Sequence, residues 1–384
     1  MSDLQVLYLI LLVLYLGECL WLLHRSSVAF VPYFPGRCRP VLPGPTFGHR
    51  SSGLVLDGPL PAFGWSFAAH PLPVSVDEEA VLASIPQALT AAGAPPQSAE
   101  LVELDQIGRV ACSERTVTLD GRDFLVCASR RAALRLARLL DELRRLPRPE
   151  RLRHLEACLA ASFDEAGARC RLALLEEQGG AWLRWLCTLL LAHLFLVAPV
   201  AILSWGFKRS LALLVAILVG LVLAVAVHFF RLHRRLLPEL GAQRVEALVT
   251  MLLFPPAAVR AASTLSRELL SDFDPLVLAA VLGTRQDLER LARTVVLDLR
   301  HPLLTTPGDE RRRAMEVNQA RRLLAQVEAL LARHEVDCAQ LTAPPAEAGQ
   351  AGATYCPRCL VAFRNARPAC PDCGTATRPG PAAD

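Results

Sequence analysis

The chain has 384 residues, of which 53% are hydrophobic and 20% charged, and its formal net charge is +4. It is longer than one small domain and more hydrophobic than an ordinary soluble protein, so we expect a membrane protein with soluble parts. Lys208 is the only lysine and lies between two apolar segments. This excludes a Walker A loop, a kinase-type ATP site and a Schiff-base lysine, each of which needs a lysine in a defined setting.

Three apolar segments have the length of a membrane-spanning helix. We predict transmembrane helices at residues 4–23, 183–204 and 210–230, since about twenty apolar residues cross a hydrocarbon core of ~30 Å. The second and third helices are joined only by residues 205–209 and are expected to form a tight helical hairpin. The first has no basic stretch before its apolar run, which favours an uncleaved anchor over a signal peptide.

The distribution of arginine predicts an orientation, because cytoplasmic loops carry an excess of Lys and Arg. Arginines follow the first span and flank the hairpin, whereas the residues before the first span offer only Asp3. We therefore predict a protein integral to the cytoplasmic (inner) membrane, with its N-terminus outside and the bulk of the chain, including its C-terminal segment, in the cytoplasm. These arginines are Arg25, Arg37, Arg39 and Arg50 after the first span, Arg169, Arg171 and Arg184 before the hairpin, and Arg231, Arg234 and Arg235 after it.

Between the first span and the hairpin, two segments differ in composition. Residues 24–75 are rich in Pro and Gly, and we expect irregular or extended chain there. Residues 76–178 are predicted to form a small α+β domain that begins with a helix in SVDEEAVLASIPQAL, whose acids suit a first helical turn. The Asp-Gly turn at residue 120 predicts a β-hairpin. Cys112 and Cys127 lie in these strands without a His or CxxC partner and are interpreted as small buried residues.

The α+β domain is predicted to end in a basic helix and a following helix. Leucines at helical spacing in RRAALRLARLLDELRRL form one face, and arginines fill much of the rest. At the inner leaflet the basic face attracts anionic headgroups by about 1 kcal/mol per basic residue; a solvated charged face is the alternative and stays open. Nucleic-acid binding is disfavoured, because no aromatic residues interleave with the arginines. The arginines predicted to contact anionic lipid are Arg130, Arg131, Arg135, Arg138, Arg144 and Arg145.

Residues 240–340 are predicted to form a helical region. Helices are expected to stop at Pro255-Pro256 and to start again at Asp274-Pro275, which supplies an N-cap and a proline at the first helical position. The apolar segment at residues 243–254 is too short to span a membrane, so it is either the core of a helical domain or a membrane-interfacial element, and we favour the core. A longer helix from Asp309 to about Ala339 has an apolar stripe that packs on its own domain or pairs with a second copy, so a homo-oligomer stays open.

A linker of small residues at 341–354 leads to the segment YCPRCLVAFRNARPACPDCG. Its two CPxC pairs present four thiolates, the closed tetrahedral S4 set that zinc prefers. So short a segment has hardly any apolar core and needs a metal to fold. Iron takes the same ligands and stays an alternative. The predicted ligands of one structural Zn²⁺ are Cys356, Cys359, Cys370 and Cys373.

Residues 355–374 resemble the small zinc-ribbon modules found at the ends of many prokaryotic proteins. The resemblance covers this segment alone and implies a metal site and little else. The second pair, CPDCG, matches the usual knuckle and includes Gly374. The first departs from it, because Leu360 stands where glycine is common, and this implies a strained turn.

No catalytic or cofactor-binding residue is predicted in the rest of the chain. The sequence has no HExxH, no GxSxG and no glycine-rich phosphate loop. Asp272 and Asp274 directly precede a helix and are interpreted as capping residues rather than magnesium ligands. His193, inside the second span, is interpreted as a hydrogen-bonding partner within the hairpin. Glu18 and His228 lie near the ends of spans, where they reach the interface.

Three functions from different classes stay open. We favour a membrane-anchored, adaptor-like cytoplasmic interaction or regulatory protein that binds a protein partner with a structural zinc ribbon, because this function needs no residue type that the chain lacks. A membrane-bound enzyme or redox protein of unknown reaction is the alternative, but a closed S4 site leaves no position for substrate. An oligomeric transporter component is disfavoured, since the spans carry almost no polar residues.

Overall fold

The structure, a computed structural model, describes residues 3–23, 27–33, 37–41, 53–56, 62, 64–70, 74–83, 101–304, 310–345, 354–371 and 375–379. The described part is mostly helical, with two apolar helices of membrane-spanning length and a C-terminal cysteine cluster. This mainly α fold agrees with the sequence prediction in that coarse form.

Helices dominate the second half of the chain and short strands the first. The helices are α1 (Asp3–Cys19), α2 (Arg130–Arg145), α3 (Arg148–Ser162), α4 (Glu165–Glu177), α5 (Gly180–Ala192), α6 (Ala198–Trp205), α7 (Phe207–Leu236), α8 (Gly241–Leu253), α9 (Ala257–Leu270), α10 (Pro275–Leu282), α11 (Arg285–Leu304), α12 (Glu310–Arg333) and α13 (Cys338–Leu341). The strands are β1 (Leu20–Leu23), β2 (Val28–Tyr33), β3 (Arg37–Val41), β4 (Gly53–Leu56), β5 (Phe67–Ala69), β6 (Val74–Val76), β7 (Ala80–Ala83), β8 (Leu101–Glu103), β9 (Val110–Ser113), β10 (Thr116–Leu119), β11 (Arg122–Val126), β12 (Thr354–Tyr355), β13 (Ala362–Phe363) and β14 (Arg378–Pro379).

The two long apolar helices form a tight hairpin. α5, a π-helical turn at His193–Val197 and α6 make one continuous helix, which α7 follows. Gly206 alone separates them and has a φ of +78°, a conformation that glycine adopts at no steric cost. The tight helical hairpin predicted from the sequence is therefore present.

α1 is shorter than the predicted helix at residues 4–23. The chain leaves the helix after Cys19, and β1 pairs antiparallel with β4. A leucine- and tryptophan-containing segment suits a strand as well as a helix, so pairing with a distant partner decides between them. Tyr15 and Cys19 on α1 pack against Leu191 of α5 and Val259 of α9.

The expectation of irregular chain at residues 24–75 is wrong for much of its described part. β2 is the central strand of the three-stranded sheet β3-β2-β5, and its residues Val28 and Phe30 are almost fully buried. Pro32 is tolerated because it pairs with Cys38 of β3 beyond the end of β5. Valine and phenylalanine between the prolines have high strand preference, which outweighs the turn signal of the composition.

The helix predicted to begin near Val76 is also wrong in its described part. β6 and β7 form an antiparallel hairpin there, and Asp77 lies in its turn. The Asp77 carboxylate accepts hydrogen bonds from the backbone N–H groups of Glu79 and Ala80, at 2.8 and 2.7 Å. An N-cap makes the same contacts, so the local signal does not distinguish a helix start from this turn. Residues 84–100 lie outside the described part of the chain.

The predicted hairpin at residue 120 is confirmed. β10 pairs with both β9 and β11, and Asp120 and Gly121 have φ of +51° and +79°, as a two-residue hairpin turn of type I′ requires. α2 packs on this sheet and buries Leu136 and Leu140 in a common core with it. The core expected for the α+β domain at residues 76–178 thus lies between α2 and these strands, but α4 does not share it and is buried in the main core with the helical region.

The helical region follows its sequence signals closely. α8 stops before Pro255, α9 ends at Leu270, and Asp274 caps α10 by accepting the Leu276 N–H at 2.9 Å. α12 ends at Arg333, earlier than the predicted Ala339, and a short α13 follows. The apolar stripe of α12 packs on its own domain, since Val327, Leu330 and Leu331 are buried in the main core.

Candidate metal centre

Three of the four predicted metal ligands lie together near the C-terminus. The sulfur atoms of Cys356, Cys359 and Cys370 are within 4.8 Å of one another, and Cys356 and Cys370 are buried. β12 delivers the first cysteine, and the small sheet β13-β12-β14 surrounds the cluster. Cys373, the fourth predicted ligand, lies outside the described residues.

The first CPxC pair has a turn that suits a thiolate ligand. The Cys359 N–H points at the Cys356 sulfur at 3.4 Å, and the Leu360 N–H donates to the Cys356 carbonyl at 2.8 Å. Amide dipoles aimed at sulfur favour its ionised form, which is the form that binds metal. Leu360 has a φ of +53°, so the residue that departs from the usual glycine does adopt the left-handed conformation.

The described part of the second pair repeats one feature of the first. The Cys370 N–H donates to the Thr375 carbonyl at 2.9 Å, and the Cys356 N–H donates to the Val361 carbonyl at 3.0 Å. In both pairs the carbonyl belongs to the residue five positions after the cysteine. The described ends of the two cysteine pairs therefore share this backbone contact.

The cluster has the chemistry of a metal site. Zinc–sulfur bonds of ~2.3 Å in a tetrahedron place sulfur atoms ~3.8 Å apart, and the three sulfurs are close enough to take such positions. Of the described residues in this C-terminal unit only Cys356, Leu360 and Cys370 are buried. A unit with so little apolar core needs additional stabilisation, which a metal provides. The residues present therefore fit a thiolate-bound metal ion.

Cys112 and Cys127, outside this cluster, are not activated thiols. None of the described cysteines is joined in a disulfide. Burial raises the pKa of Cys127 to about 11, with a smaller contribution from Cys112, whose own pKa burial also raises. Both therefore favour the neutral thiol near pH 7. Cys127 is buried, as its interpretation requires, whereas Cys112 is only partly buried.

One cysteine and one histidine that sequence reasoning passed over meet on α3. Cys158 Sγ lies 3.6 Å from His154 Nε2, and the same nitrogen lies 3.0 Å from a carboxylate oxygen of Glu142. A relay from thiol to carboxylate needs both ring nitrogens, so this arrangement does not form one. Burial, followed by the charge of Glu142, raises the pKa of Cys158. In the sequence, the signal for this pair is the spacing of four residues between the histidine and the cysteine, which puts both on one face of a helix.

A cavity of about 790 Å³ lies between the α+β domain and the helical region. Its wall mixes apolar side chains, some of them on α3, with charged side chains from α2, α4, α11 and α12 and from the segments that precede α4, α8 and α10. Acidic and basic residues are present in similar numbers, so the wall carries no strong net charge of either sign. The charged residues that line it are Arg131, Arg135, Arg138, Arg171 and Arg322 together with Glu142, Asp164, Glu239, Asp272, Asp274 and Asp298.

Asp272 is the centre of the ion pairs in this wall. Arg131 binds it at 2.6 Å, Arg135 at 3.3 Å, and Arg171 also pairs with it. Burial opposes ionisation of Asp272, but the charges of the three arginines outweigh it and hold its pKa below the ordinary value. Asp274 is a helix cap, as predicted, and burial raises its pKa to about 6. Asp272 is therefore an ion-pair residue rather than a cap.

Most of the arginines predicted to contact anionic lipid have protein partners. Arg130 pairs with Glu246 at 2.6 Å, and Arg144 and Arg145 both pair with Asp141. Among the described residues, no ion pair involves Arg138, and its side chain is exposed. The basic face of α2 is thus largely neutralised within the chain, which reduces its attraction for a negatively charged surface.

A buried acid that sequence reasoning missed holds the start of α2. Glu268 on α9 accepts a hydrogen bond from the Arg131 N–H at 3.3 Å, next to the Ser129 cap, which accepts from the Ala132 N–H. Burial raises the pKa of Glu268. Its sequence distance from α2 leaves no local pattern that could have revealed it.

Several polar groups in or beside the long apolar helices have partners within the chain. His193 donates from Nε2 to the Leu214 carbonyl at 3.0 Å, which confirms its interpretation as a partner within the hairpin. Pro199 has no N–H to offer the Phe195 carbonyl four residues before it, and the hydroxyl of Tyr8 on α1 donates to that carbonyl at 3.0 Å. Glu18 pairs with Arg260.

Comparison with known proteins adds no relative. No family model matches the chain, and no curated protein or solved structure shows significant similarity to it. The resemblance of residues 355–374 to zinc ribbons therefore rests on the spacing of the cysteines and on the geometry described above.

Proposed function

We propose that this chain is an integral membrane protein that acts as an adaptor-like interaction or regulatory protein and binds its partner through a structural zinc ribbon. The observation that carries the proposal is the cluster of Cys356, Cys359 and Cys370 in a unit joined by a small-residue linker to a body with membrane-length helices. In a closed site, thiolates fill all four coordination positions of the metal. Such a site stabilises the surface of a small unit and has no open position for substrate or water.

Membrane insertion is supported by the surface of the hairpin. Only 28% of the most apolar stretch of each long helix is buried, whereas a core helix of a soluble protein is mostly buried. Exposed tryptophans lie at its two ends, with Trp182 and Trp185 at one and Trp205 at the other. Tryptophan concentrates at membrane–water interfaces, so these positions suit the boundaries of a bilayer. The arginine distribution supports a cytoplasmic location for the α+β domain and the ribbon.

α1 is proposed as a third span. Its 17 residues measure ~26 Å along the axis, slightly less than a hydrocarbon core of ~30 Å. The Tyr8 hydroxyl supplies the donor that Pro199 removes from the long helix. Such compensation is needed where no water is present to satisfy a free carbonyl. Contacts of Tyr8 and Tyr15 with Phe195 place α1 along the hairpin.

The ribbon offers an exposed basic loop to a partner. Most residues between its two cysteine pairs are exposed, including Val361, Arg364 and Arg367. Arg367 lies over the Phe363 ring at 5.4 Å from its centroid, which orders the guanidinium. An acidic segment of a partner protein has the complementary charge.

A second candidate, a membrane-bound enzyme or redox protein, is favoured by one observation. The cavity of about 790 Å³ has the size and mixed lining of a small-molecule site. However, Asp272 is engaged by arginines, Asp274 caps a helix, and Cys158 has a raised pKa. The adaptor function is preferred because these groups already have structural roles or lack activation.

The test compares partners of the full-length protein with and without the ribbon. Membranes containing the parent chain or a Cys356→Ser, Cys359→Ser variant are crosslinked, and the captured proteins are quantified by mass spectrometry. A Cys158→Ser, Cys170→Ser variant serves as the matched control, because both cysteines are exposed and lie outside the ribbon. We expect a defined partner with the parent and the control and at least tenfold less of it with the ribbon variant. Equal capture by all three chains would contradict partner binding by the ribbon.

A further inference from the structure

α8 carries an apolar face that no described part of the chain covers. Val245, Val249, Leu252 and Leu253 lie at helical spacing and are all exposed, and Leu253 is 82% exposed. The opposite face packs on α7 and α9, with Met251 buried. This distribution differs from the core position expected for residues 243–254, because only one side of the helix contributes to the core.

Contacts with the long hairpin show how far the C-terminal end of α8 and the start of α9 extend along it. His228 of α7 hydrogen-bonds the Gly179 carbonyl, just before the start of α5. This contact is the reference point at the base of the hairpin. The Ala258 carbonyl lies 3.9 Å from Cys187 Sγ, and Val259 packs with Leu191. At 1.5 Å per residue, Cys187 is ~12 Å and Leu191 ~18 Å further along the hairpin than Gly179.

The turn between α8 and α9 therefore lies beside the apolar part of the hairpin. α8 runs back along α7, and α9 returns from the turn at Phe254, Pro255 and Pro256. Trp182 and Trp185, which are exposed on α5, lie between the level of Gly179 and that of Cys187. The end of α8 thus extends past the exposed tryptophans toward the middle of the long helices.

Polarity changes along α8 in the same direction. Its first half carries Arg244, which lies over the Phe230 ring, and Glu246, which pairs with Arg130 of α2 at 2.6 Å. In its second half, Thr250 donates its hydroxyl hydrogen to the Glu246 carbonyl at 2.8 Å, which leaves no donor pointing outward. This gradient suits a helix that enters a bilayer obliquely, with its apolar end in the hydrocarbon and its charged end at the interface.

We propose that α8, α9 and the turn between them form a monotopic element that inserts its apolar end, Leu252 to Pro255, into the acyl chains of the leaflet on the side of the α+β domain. The occupant of the exposed face is phospholipid, because this face is continuous with the exposed apolar surface of the hairpin at the same level. The proposal rests on the membrane insertion proposed above. The ion pair of Glu246 on α8 with Arg130 on α2 would then hold α2 close to the membrane surface.

The experiment places a photo-reactive benzoyl-phenylalanine at single exposed positions of the full-length protein in nanodiscs of phosphatidylethanolamine and phosphatidylglycerol. Leu253 is the test position. Ala242, which is exposed at the polar end of α8, is the matched control, and Leu213, exposed on α7, reports membrane insertion itself. Adducts are identified by intact mass after irradiation.

We expect lipid adducts at Leu253 at a yield similar to that at Leu213 and at least fivefold above that at Ala242. Lipid adducts at Leu213 with only the Ala242 level at Leu253 would overturn the inference and leave membrane insertion intact. A crosslink from Leu253 to a second copy of the chain would overturn it as well, since protein would then cover the face. Absence of lipid adducts at Leu213 would remove the proposed membrane location and the inference together.

Discussion

The helical body, α2 to α13, and the C-terminal unit proposed as a zinc ribbon, residues 354–379 and called the ribbon below, differ in how many apolar side chains they bury. A continuous core of buried leucines, valines and alanines joins most helices of the body. The described part of the ribbon buries only Cys356, Leu360 and Cys370. Burial of apolar surface contributes roughly 25 cal/mol per Å², so the body is stabilised by its core. The proposed ribbon lacks such a core, and we expect it to depend on a bound metal instead.

Removal of the metal is expected to have the largest effect and to act on the ribbon alone. A structural zinc site contributes about 10–16 kcal/mol of binding free energy, which the ribbon has no core to replace. Treatment of the full-length protein with a strong chelator should abolish hydrogen-exchange protection in β12 and β13 and leave protection in α10 and α12 unchanged. Loss of protection in the body at the same chelator concentration would show that the two units are not independent.

Asp272→Asn breaks the ion-pair centre of the body and should have the next largest effect. Three arginines would lose their common partner, which costs about 3 kcal/mol for partly buried pairs. The denaturation midpoint of the body in detergent should fall, while zinc content stays unchanged. Asp123→Asn, at an exposed position, is the control and should shift the midpoint little. A similar midpoint for both variants would contradict the role of Asp272.

Asp274→Asn tests the cap of α10 and its pH dependence. The pKa of Asp274 is raised from 3.8 to about 6, so the folded state favours the neutral carboxyl. Its contribution to stability is complete below pH 3.8 and is lost as the pH rises through about 6. Asparagine keeps the cap without the charge, so the variant should be more stable than the parent at pH 7 by about 2 kcal/mol. Denaturant midpoints of the parent and the variant are compared at pH 7 and at pH 4. Equal midpoints of the two chains at both pH values would contradict this prediction.

Substitution of Leu360 should have the smallest effect and concerns the ribbon. Its left-handed conformation costs about 1 kcal/mol for any residue with a Cβ, but its side chain is buried. Leu360→Gly loses the burial and relieves the conformation, whereas Leu360→Ala loses most of the burial and keeps the conformational cost. The Leu360→Gly variant should therefore bind zinc about fivefold more tightly than the Leu360→Ala variant, as measured by competition with a chelator. Higher affinity of the alanine variant would show that the turn is not strained.

Local signals in the sequence predicted the elements that depend on a few neighbouring residues. Pro255-Pro256, Asp274-Pro275 and the turn at residue 120 act within one or two turns of chain, and each prediction is confirmed. Asp77 shows the limit of such signals, because the same hydrogen bonds serve a helix cap and a strand turn. The choice between them depends on β8, which pairs with β7 from a distant part of the sequence.

Features that depend on distant partners were not predictable. Glu268 holds the start of α2, and Asp272 binds arginines of α2 and α4, across long separations in the sequence. The exposure of one face of α8 follows from the position of α7 and α9, since the apolar sequence of that helix suits a core equally well. The spacing of the cysteines, in contrast, predicted the cluster of Cys356, Cys359 and Cys370, because two paired cysteines lie in one local turn.

The most direct measurement is the metal content of the full-length protein purified in detergent, beside the Cys356→Ser, Cys359→Ser variant. About one zinc per chain is expected in the parent, and its loss is expected in the variant, with the helical content of the body unchanged. A parent chain that purifies folded and without any bound metal would contradict the ribbon and the adaptor function that depends on it.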